Sequence, residues 1–326
     1  MKSALEHRLT QRWYGGQAPG FGSRLLAGTY HAALKLRAGL YASGLISSQR
    51  VGVPVIVVGN FTAGGTGKTP LIVALALRLQ ARGWRPGIVS RGYGRRSKAP
   101  IAVDADTPPE RCGDEPKLIF ERTQCPVFVD GDRVAAASRA IAAGCNLVLS
   151  DDGLQHHRLA RDIEIEVLDG ERRYGNGLLM PAGPLREPPR DTGLRVVNGG
   201  AAQAGEWGMR LHTGRAIALA GGRRRELAEF AGDGVLHALA GIGHPERFFA
   251  VLRAQGLDPV EHPFPDHHAY RAEDFAGMTG AILMTEKDAV KCRDLGLEQG
   301  WYVPVEAELD EGFYDRILER LENVSP

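Results

Sequence analysis

Short apolar runs recur along the chain, separated by stretches whose apolar positions fall three or four residues apart. That alternation is the pattern of buried strands joined by helices. The run Val55–Val58 predicts the first buried strand, and an amphipathic helix follows from about Pro70 to Arg82, ended by Gly83. A strand at Gly87–Ser90 comes next, then runs at Val127–Val129, Leu147–Leu149, Ile163–Leu168 and Arg195–Val197, with a helix-compatible segment at Asp132–Ala143. A second alternation begins near Ala216, with strands at Ile217–Ala220, Leu236–Ala240, Ile282–Thr285 and Trp301–Val305. Helices are expected in it near Pro245–Gln255, Ala289–Asp294 and Gly312–Glu322. The expected fold class is therefore α/β, a mostly parallel sheet covered by helices, with a domain boundary near residue 213 (1–213 and 214–326) and ligands at the carboxyl ends of the strands. From Glu171 to Thr192 the chain is rich in Gly, Pro and Arg, but Leu178, Leu179, Met180 and Leu185 offer apolar anchors. Such a segment predicts a structured binding loop.

Composition narrows the class without naming a function. At 326 residues, 43% hydrophobic and 24% charged, the chain is an ordinary globular sequence long enough for two domains. No run of about 20 apolar residues offers a membrane span, and no signal-peptide pattern opens the chain, so neither crossing nor export is expected. The four cysteines, Cys112, Cys125, Cys145 and Cys292, have no metal-ligand spacing, which fits a reduced cytosolic chain. A net charge of +1 argues against nucleic-acid binding. The charge is uneven, however: Lys2, Arg8, Arg12, Arg24, Lys35, Arg37 and Arg50 stand against Glu6 alone in the first fifty residues. Between Arg24 and Ile46, Leu25, Leu26, Tyr30, Ala33, Leu36 and Leu40 share a broad helical face opposite Arg24 and Lys35, interrupted by Arg37. With Trp13, Tyr14, Phe21, Tyr30 and Tyr41 nearby, this basic segment could lie on an anionic membrane surface or pack as an ordinary helix on its domain.

The chemistry begins where the first strand ends. Residues 55–69 run from an apolar strand through Thr62-Ala63-Gly64-Gly65-Thr66-Gly67 to Lys68 and Thr69. Glycines there let backbone N–H groups close around phosphate oxygens, and the next helix aims its positive end at the same place. This pattern predicts a P-loop NTPase-like first domain that binds a nucleotide. Lys68 is expected to reach the β- and γ-phosphates, and the Thr69 hydroxyl to hold Mg²⁺. Thr62 stands where the usual eight-residue window opens with glycine. Pro70 is compatible with a helix's first turn, which needs no N–H from it.

A strand over Asn146–Ser150 leads into Asp151-Asp152-Gly153, and carboxylates at such a strand end hold Mg²⁺ or its waters in nucleotide-hydrolysing sheets. Gln155, His156 and His157 follow, and one of them is a candidate to touch the site, although a solvated histidine pair is an equal reading. Gly113-Asp114-Glu115-Pro116 reads as a turn whose acids could orient or deprotonate an attacking hydroxyl, or as a plain helix cap. In the second half, Asp266-His267-His268 and Thr285-Glu286-Lys287-Asp288 are further candidates, the histidines being either structural or able to tune a carboxylate. Arg91, Arg95 and Arg96 could meet phosphate charge, although a solvated surface is an equal reading for Arg95 and Arg96.

Taken together, the segments Val58–Asn60 with Gly64–Pro70, Ser90–Arg95, Gly113–Pro116, Asp151–His156, Gly183–Pro188, Phe264–His268 and Thr285–Asp288 resemble the tetraacyldisaccharide 4′-kinase family. The resemblance runs across most of the chain. It implies transfer of the γ-phosphate of ATP, with Mg²⁺, to the 4′-hydroxyl of an acylated disaccharide lipid in lipid A biosynthesis, forming lipid IVA. It further implies a peripheral enzyme on the cytosolic face of the inner membrane, built of two α/β/α domains with the active site between them, and it implies no obligate protein partner. Through it, Asp114 is expected to act as a base supported by His267, and Thr69, Glu115, Asp151 and Asp152 to contact metal or nucleotide. Arg186 and Glu187, in the Gly183–Pro188 loop, are expected near the active site.

Three other readings compete. A switch-type ATPase of the partition or metallochaperone kind would carry a signature lysine where this chain has Ala63. A GTPase would read guanine with an Asn-Lys-x-Asp strand end, for which Thr285–Asp288 is the nearest candidate with Lys287 one place late. A nucleotide-gated binding module would not depend on Asp114.

Overall fold

The computed structural model describes residues 9–324; Lys2, Glu6 and Arg8 of the basic N-terminal stretch lie outside them. The chain divides into two units, one of residues 1–91, 125–210 and 308–326, the other of residues 92–124 and 211–307. Sequence alone placed a single boundary near residue 213. The difference has a local cause: helix Asp114–Thr123 packs against helix Glu286–Cys292, and Arg122 pairs with Glu286 at 2.9 Å, so residues 92–124 belong with the later segment.

In the first unit, β-branched and leucine-rich runs form β1 (Val55–Gly59), β2 (Pro86–Ser90), β3 (Val127–Val129), β4 (Leu147–Asp151), β5 (Ile163–Asp169), β6 (Arg195–Asn198) and β7 (Trp207–Thr213). Their order across the sheet is β7-β6-β5-β1-β4-β2-β3, and these pairings are parallel. Strands β1, β2 and β4 are buried along their whole length, which explains their unbroken apolar runs. Strand β7 is mostly exposed and left no such run in the sequence. Helices Lys68–Ala81 and Arg133–Ala142 accompany the sheet, the second capped by the Asp132 carboxylate accepting from the N–H groups of Val134 and Ala135.

Helix Phe21–Ala42 joins the same unit through one stripe. Ala27, Tyr30 and Leu34 pack on the core, the Tyr30 hydroxyl donates to the Arg186 carbonyl at 2.6 Å, and Arg37 pairs with Glu187 at 3.2 Å. The single apolar face expected from the sequence is thus split. Tyr30 turns inward, while Phe21, Leu25, Leu26 and Leu36 are exposed, Leu36 to 67%. Most of the neighbouring aromatics are also used internally: Trp13 donates to the Pro181 carbonyl, and the Tyr41 ring sits on His157.

The second unit is built on a six-stranded sheet. Its strands are β8 (Ala216–Ala218), β9 (Arg224–Arg225), β10 (Leu236–Ala240), β11 (Val260–Pro263), β12 (Ala281–Thr285) and β13 (Gly300–Val303), in the order β9-β8-β13-β12-β10-β11. Strands β10 to β13 pair in parallel, and Leu236, Ala238, Leu283, Val303 and Phe249 centre the core. The exposed edge strands β9 and β11 were silent in the hydrophobic pattern.

Candidate active site

Strand β1 delivers the chain into the phosphate loop between two parallel neighbours, with Val58 beside Asp151 of β4 and Gly59 beside Glu166 of β5. Gly67 caps helix Lys68–Ala81 with φ at 93°, and no side chain caps that helix. Its first-turn N–H groups are therefore left for an anion, which is what phosphate binding requires. Around them, Lys68 Nζ donates to Asn60 Oδ1 at 3.1 Å and lies 3.5 Å from Asp152. Arg186 Nη1 donates to both oxygens of the same carboxylate, at 3.0 and 2.8 Å. Burial alone would raise the Asp152 carboxyl, but Lys68 and Arg186 outweigh it and bring it down to about 2, so the group is ionised.

The Gly183–Pro188 loop is wired directly to the phosphate loop. Ala63 N–H donates to the Pro184 carbonyl at 2.8 Å, and Arg186 N–H to the Phe61 carbonyl at 2.7 Å, while Thr62 bridges Leu185. Of the expected apolar anchors, Leu179 and Leu185 are buried and Met180 is half-buried, whereas Leu178 is exposed. Gln155 donates to the Asn60 carbonyl at 3.0 Å and to Glu187 at 3.4 Å, and His157 lies 3.5 Å from the same glutamate. The 156–157 pair is therefore not simply a solvated one. His157 leans on Glu187 and Tyr41, and His156 is pulled down by burial, with Arg133 adding to it.

The strand-end acids differ in environment. Asp151 is buried and accepts from the Ser90 hydroxyl at 2.8 Å, whereas Asp152 adopts φ of 48° and faces Lys68 and Arg186. Arg91 lies exposed just past the end of β2. Among the described residues no cluster of three His, Cys, Asp or Glu side chains is preformed for a metal. The hydroxyl of Thr69 and the two carboxylates are nevertheless hard oxygen donors at the phosphate loop, the set that suits Mg²⁺, which completes its shell with waters and phosphates.

In the second unit, Asp114 and Glu115 are not in a free turn but open helix Asp114–Thr123. His267 Nδ1 is 2.9 Å from Asp114 Oδ2, and Lys291 lies 4.0 Å from the same oxygen. Burial pushes the Asp114 carboxyl up; the His267 hydrogen bond, Lys291 and Lys287 together push it further down, and the net shift is downward. Lys287 spans Glu115 at 3.5 Å and Asp266 at 3.3 Å. His267 takes φ of 59°, a left-handed conformation uncommon outside glycine and concentrated at functional positions. The other histidine, His268, is tied to Asp274 at 3.0 Å and stacks on Phe264.

Thus Lys68, Asp152, Gln155, Arg186 and Glu187 form one connected group, and Asp114, Glu115 and His267 form another with Lys287 and Lys291. The sequence reading gave no role to Asn60, Ser90, Lys287 or Lys291. Lys287 had a signal in the Thr285–Asp288 segment; Asn60 and Ser90 are neutral residues whose part emerges only from their neighbours.

Comparison with known proteins agrees over most of the chain. The model of the family described as Tetraacyldisaccharide-1-P 4′-kinase matches residues 23–322. A Tetraacyldisaccharide 4′-kinase of Xanthomonas euvesicatoria pv. vesicatoria is 53% identical, over 96% of this chain and 95% of that protein. One from Stenotrophomonas maltophilia is 52% identical, over 96% of each. Among solved structures, the "apo" form of LpxK from Aquifex aeolicus in complex with ATP superposes with a TM-score of 0.76 at 26% identity, covering 91% of this chain and 97% of that one. Relatives so similar over nearly the entire length, with the same fold, place this chain in the tetraacyldisaccharide 4′-kinase family.

Proposed function

We propose that this enzyme transfers the γ-phosphate of ATP to the 4′-hydroxyl of tetraacyldisaccharide 1-phosphate, giving lipid IVA. Membership of the family favours this over a switch-type ATPase. The structural observation that carries it is the Asp114–His267 pair at 2.9 Å. A carboxylate oriented by an imidazole is what an acceptor hydroxyl needs as it loses its proton, and a nucleotide switch has no use for one.

In this reading the backbone of Thr62–Thr69 cradles the phosphates and Lys68 neutralises their charge. Arg186 holds Asp152 and fixes the acid relative to Lys68. The residues proposed to hold Mg²⁺ are Thr69, Asp151, Asp152 and Glu115, and the ion supplies charge neutralisation on the transferring phosphoryl group. Asp114 accepts the proton of the sugar hydroxyl, with His267 orienting it. Gln155 and Glu187 brace the loop, and Arg91 offers charge for a phosphate of nucleotide or lipid. The rate then comes chiefly from alignment and electrostatics.

The enzyme works as a peripheral protein on the cytosolic face of the inner membrane, lying against it with the exposed face of helix Phe21–Ala42. That face carries Phe21, Leu25, Leu26 and Leu36 beside the exposed Arg24 and Lys35, the pairing of apolar and basic groups that suits an anionic surface. No helix among the described residues is long and apolar enough to cross a membrane.

The test is mass spectrometry of tetraacyldisaccharide 1-phosphate incubated with the full-length protein, detergent and Mg²⁺-ATP, beside Lys68→Ala. Gain of one phosphate at the 4′ position with the wild type alone is expected. ATP hydrolysis without lipid phosphorylation would move the assignment to a switch ATPase.

A further inference from the structure

One polar side chain beside the phosphate loop has no part in the reaction just described. Asn198 ends β6, in register with Asp169 at the end of β5. Its Nδ2 donates to the Thr66 carbonyl, inside the loop, at 3.1 Å. The approach is close enough that a Cβ on Gly67 would stand 2.6 Å from that nitrogen. No other hydrogen bond of the Asn198 side chain occurs among the described residues. Behind it, Gly199 lies against Gly170 so tightly that a Cβ on Gly170 would fall 1.8 Å from the Gly199 carbonyl oxygen. The ends of β5 and β6 therefore meet as backbone, with no room for a side chain on Gly170.

The segment Thr285–Asp288, the nearest sequence candidate for a base-reading strand end, has a different job. Thr285 caps helix Glu286–Cys292, and the fully buried Asp288 accepts from Gly241 N–H and the Thr285 hydroxyl. The strand end next to the phosphate loop is Asn198-Gly199-Gly200. It supplies an asparagine but no following carboxylate to meet the N1 and N2 groups of guanine.

We infer that Asn198 selects adenine, pairing with the N6 and N7 edge of the bound nucleotide while it holds the phosphate loop. This rests on the reading of ATP as phosphoryl donor. A carboxamide has one acceptor oxygen and two donor hydrogens on its nitrogen. The Thr66 carbonyl takes one hydrogen and thereby fixes the orientation of the group, since a flipped amide would set Oδ1 against a carbonyl oxygen. The remaining hydrogen and Oδ1 form a donor–acceptor edge. Adenine answers it with N7 as acceptor and the N6 amino group as donor, the bidentate pairing asparagine makes with this base. Guanine and hypoxanthine carry O6 in place of that amino group and set acceptor against acceptor.

The test is equilibrium binding by calorimetry, with Mg²⁺ and no lipid, of ATP, inosine triphosphate and 7-deaza-ATP to the full-length protein and to Asn198→Ala. In the wild type, inosine triphosphate is expected to bind about tenfold or more weaker than ATP, and 7-deaza-ATP about fivefold weaker. In Asn198→Ala the three affinities converge to within about twofold. Equal affinities in the wild type would overturn the inference, and this comparison needs no variant to fold. A wild-type ratio retained in Asn198→Ala would overturn it equally, because the base would then be read elsewhere. Failure of ATP itself to bind the wild type would bring down the kinase reading too, whereas ATP binding without discrimination sinks only the role of Asn198.

Discussion

Asp114 and Lys68 are the single side chains on which the proposed chemistry most depends. Asp114 keeps its charge despite burial because His267, Lys291 and Lys287 surround it. Replacing it with Asn preserves the shape and removes the basic oxygen. Lipid phosphorylation should fall by about 10²- to 10⁴-fold in kcat with the affinity for ATP nearly unchanged, as measured by initial rates and nucleotide titration. An unchanged kcat in Asp114→Asn would exclude it as the base. The glycines, Lys68, the paired acids and Asp114 stood out in the sequence because their types are those the proposed phosphoryl transfer would use. Asn198, Asn60 and Ser90 were not: an uncharged amide or hydroxyl is common everywhere and acquires meaning only from what it faces.

Helices and loops carry the next level of constraint. Helix Phe21–Ala42 has two apolar stripes, one packed through Ala27, Tyr30 and Leu34, the other exposed through Phe21, Leu25, Leu26 and Leu36. Periodicity detected an apolar helix but merged the stripes, because burial on either side demands the same residues. The double variant Leu25→Glu/Leu36→Glu should lower co-sedimentation with anionic phosphatidylglycerol vesicles by about tenfold or more, while detergent-assayed activity and the melting temperature hold. Undiminished sedimentation would remove this helix from the membrane contact. The loop after β5 is fastened in another way. Arg190 pairs with Glu164 of β5, and Arg161 joins it at 2.9 Å. Burial raises the Glu164 carboxyl from its ordinary value of 4.5, but the hydrogen bonds from Arg190 and Arg161 lower it by more. A carboxylate depressed in the folded state stabilises above its unfolded pKa, and that contribution is lost as pH falls through the depressed folded value. Wild type should therefore be more stable than Glu164→Gln at pH 7, and denaturant midpoints should draw together as pH falls below the ordinary carboxyl value of 4.5; a gap that does not narrow in acid would contradict this.

At the scale of the whole molecule, chain order and spatial grouping diverge. Residues 92–124 belong to the second unit and residues 308–326 to the first. One link that makes this so is Arg122, which grips the largely buried Glu286 with both oxygens at 3.0 and 2.9 Å. Burial drives the Glu286 carboxyl up and Arg122 only partly offsets it, so Arg122→Ala should cost about 3 kcal/mol in chemical denaturation; a loss below about 0.5 kcal/mol would class the pair as a surface contact. The sequence by itself determined the α/β class, the buried strands, the phosphate loop and the acids at the strand ends, since strand burial and phosphate binding each dictate residue types at fixed local spacing. Tertiary structure alone brings Asp114 to His267 across 153 positions of sequence, Arg186 to Asp152, and Asn198 to the loop at Thr66. Those contacts depend on which strand lies beside which, and sheet order is set by the packing of distant apolar faces, which no local pattern records.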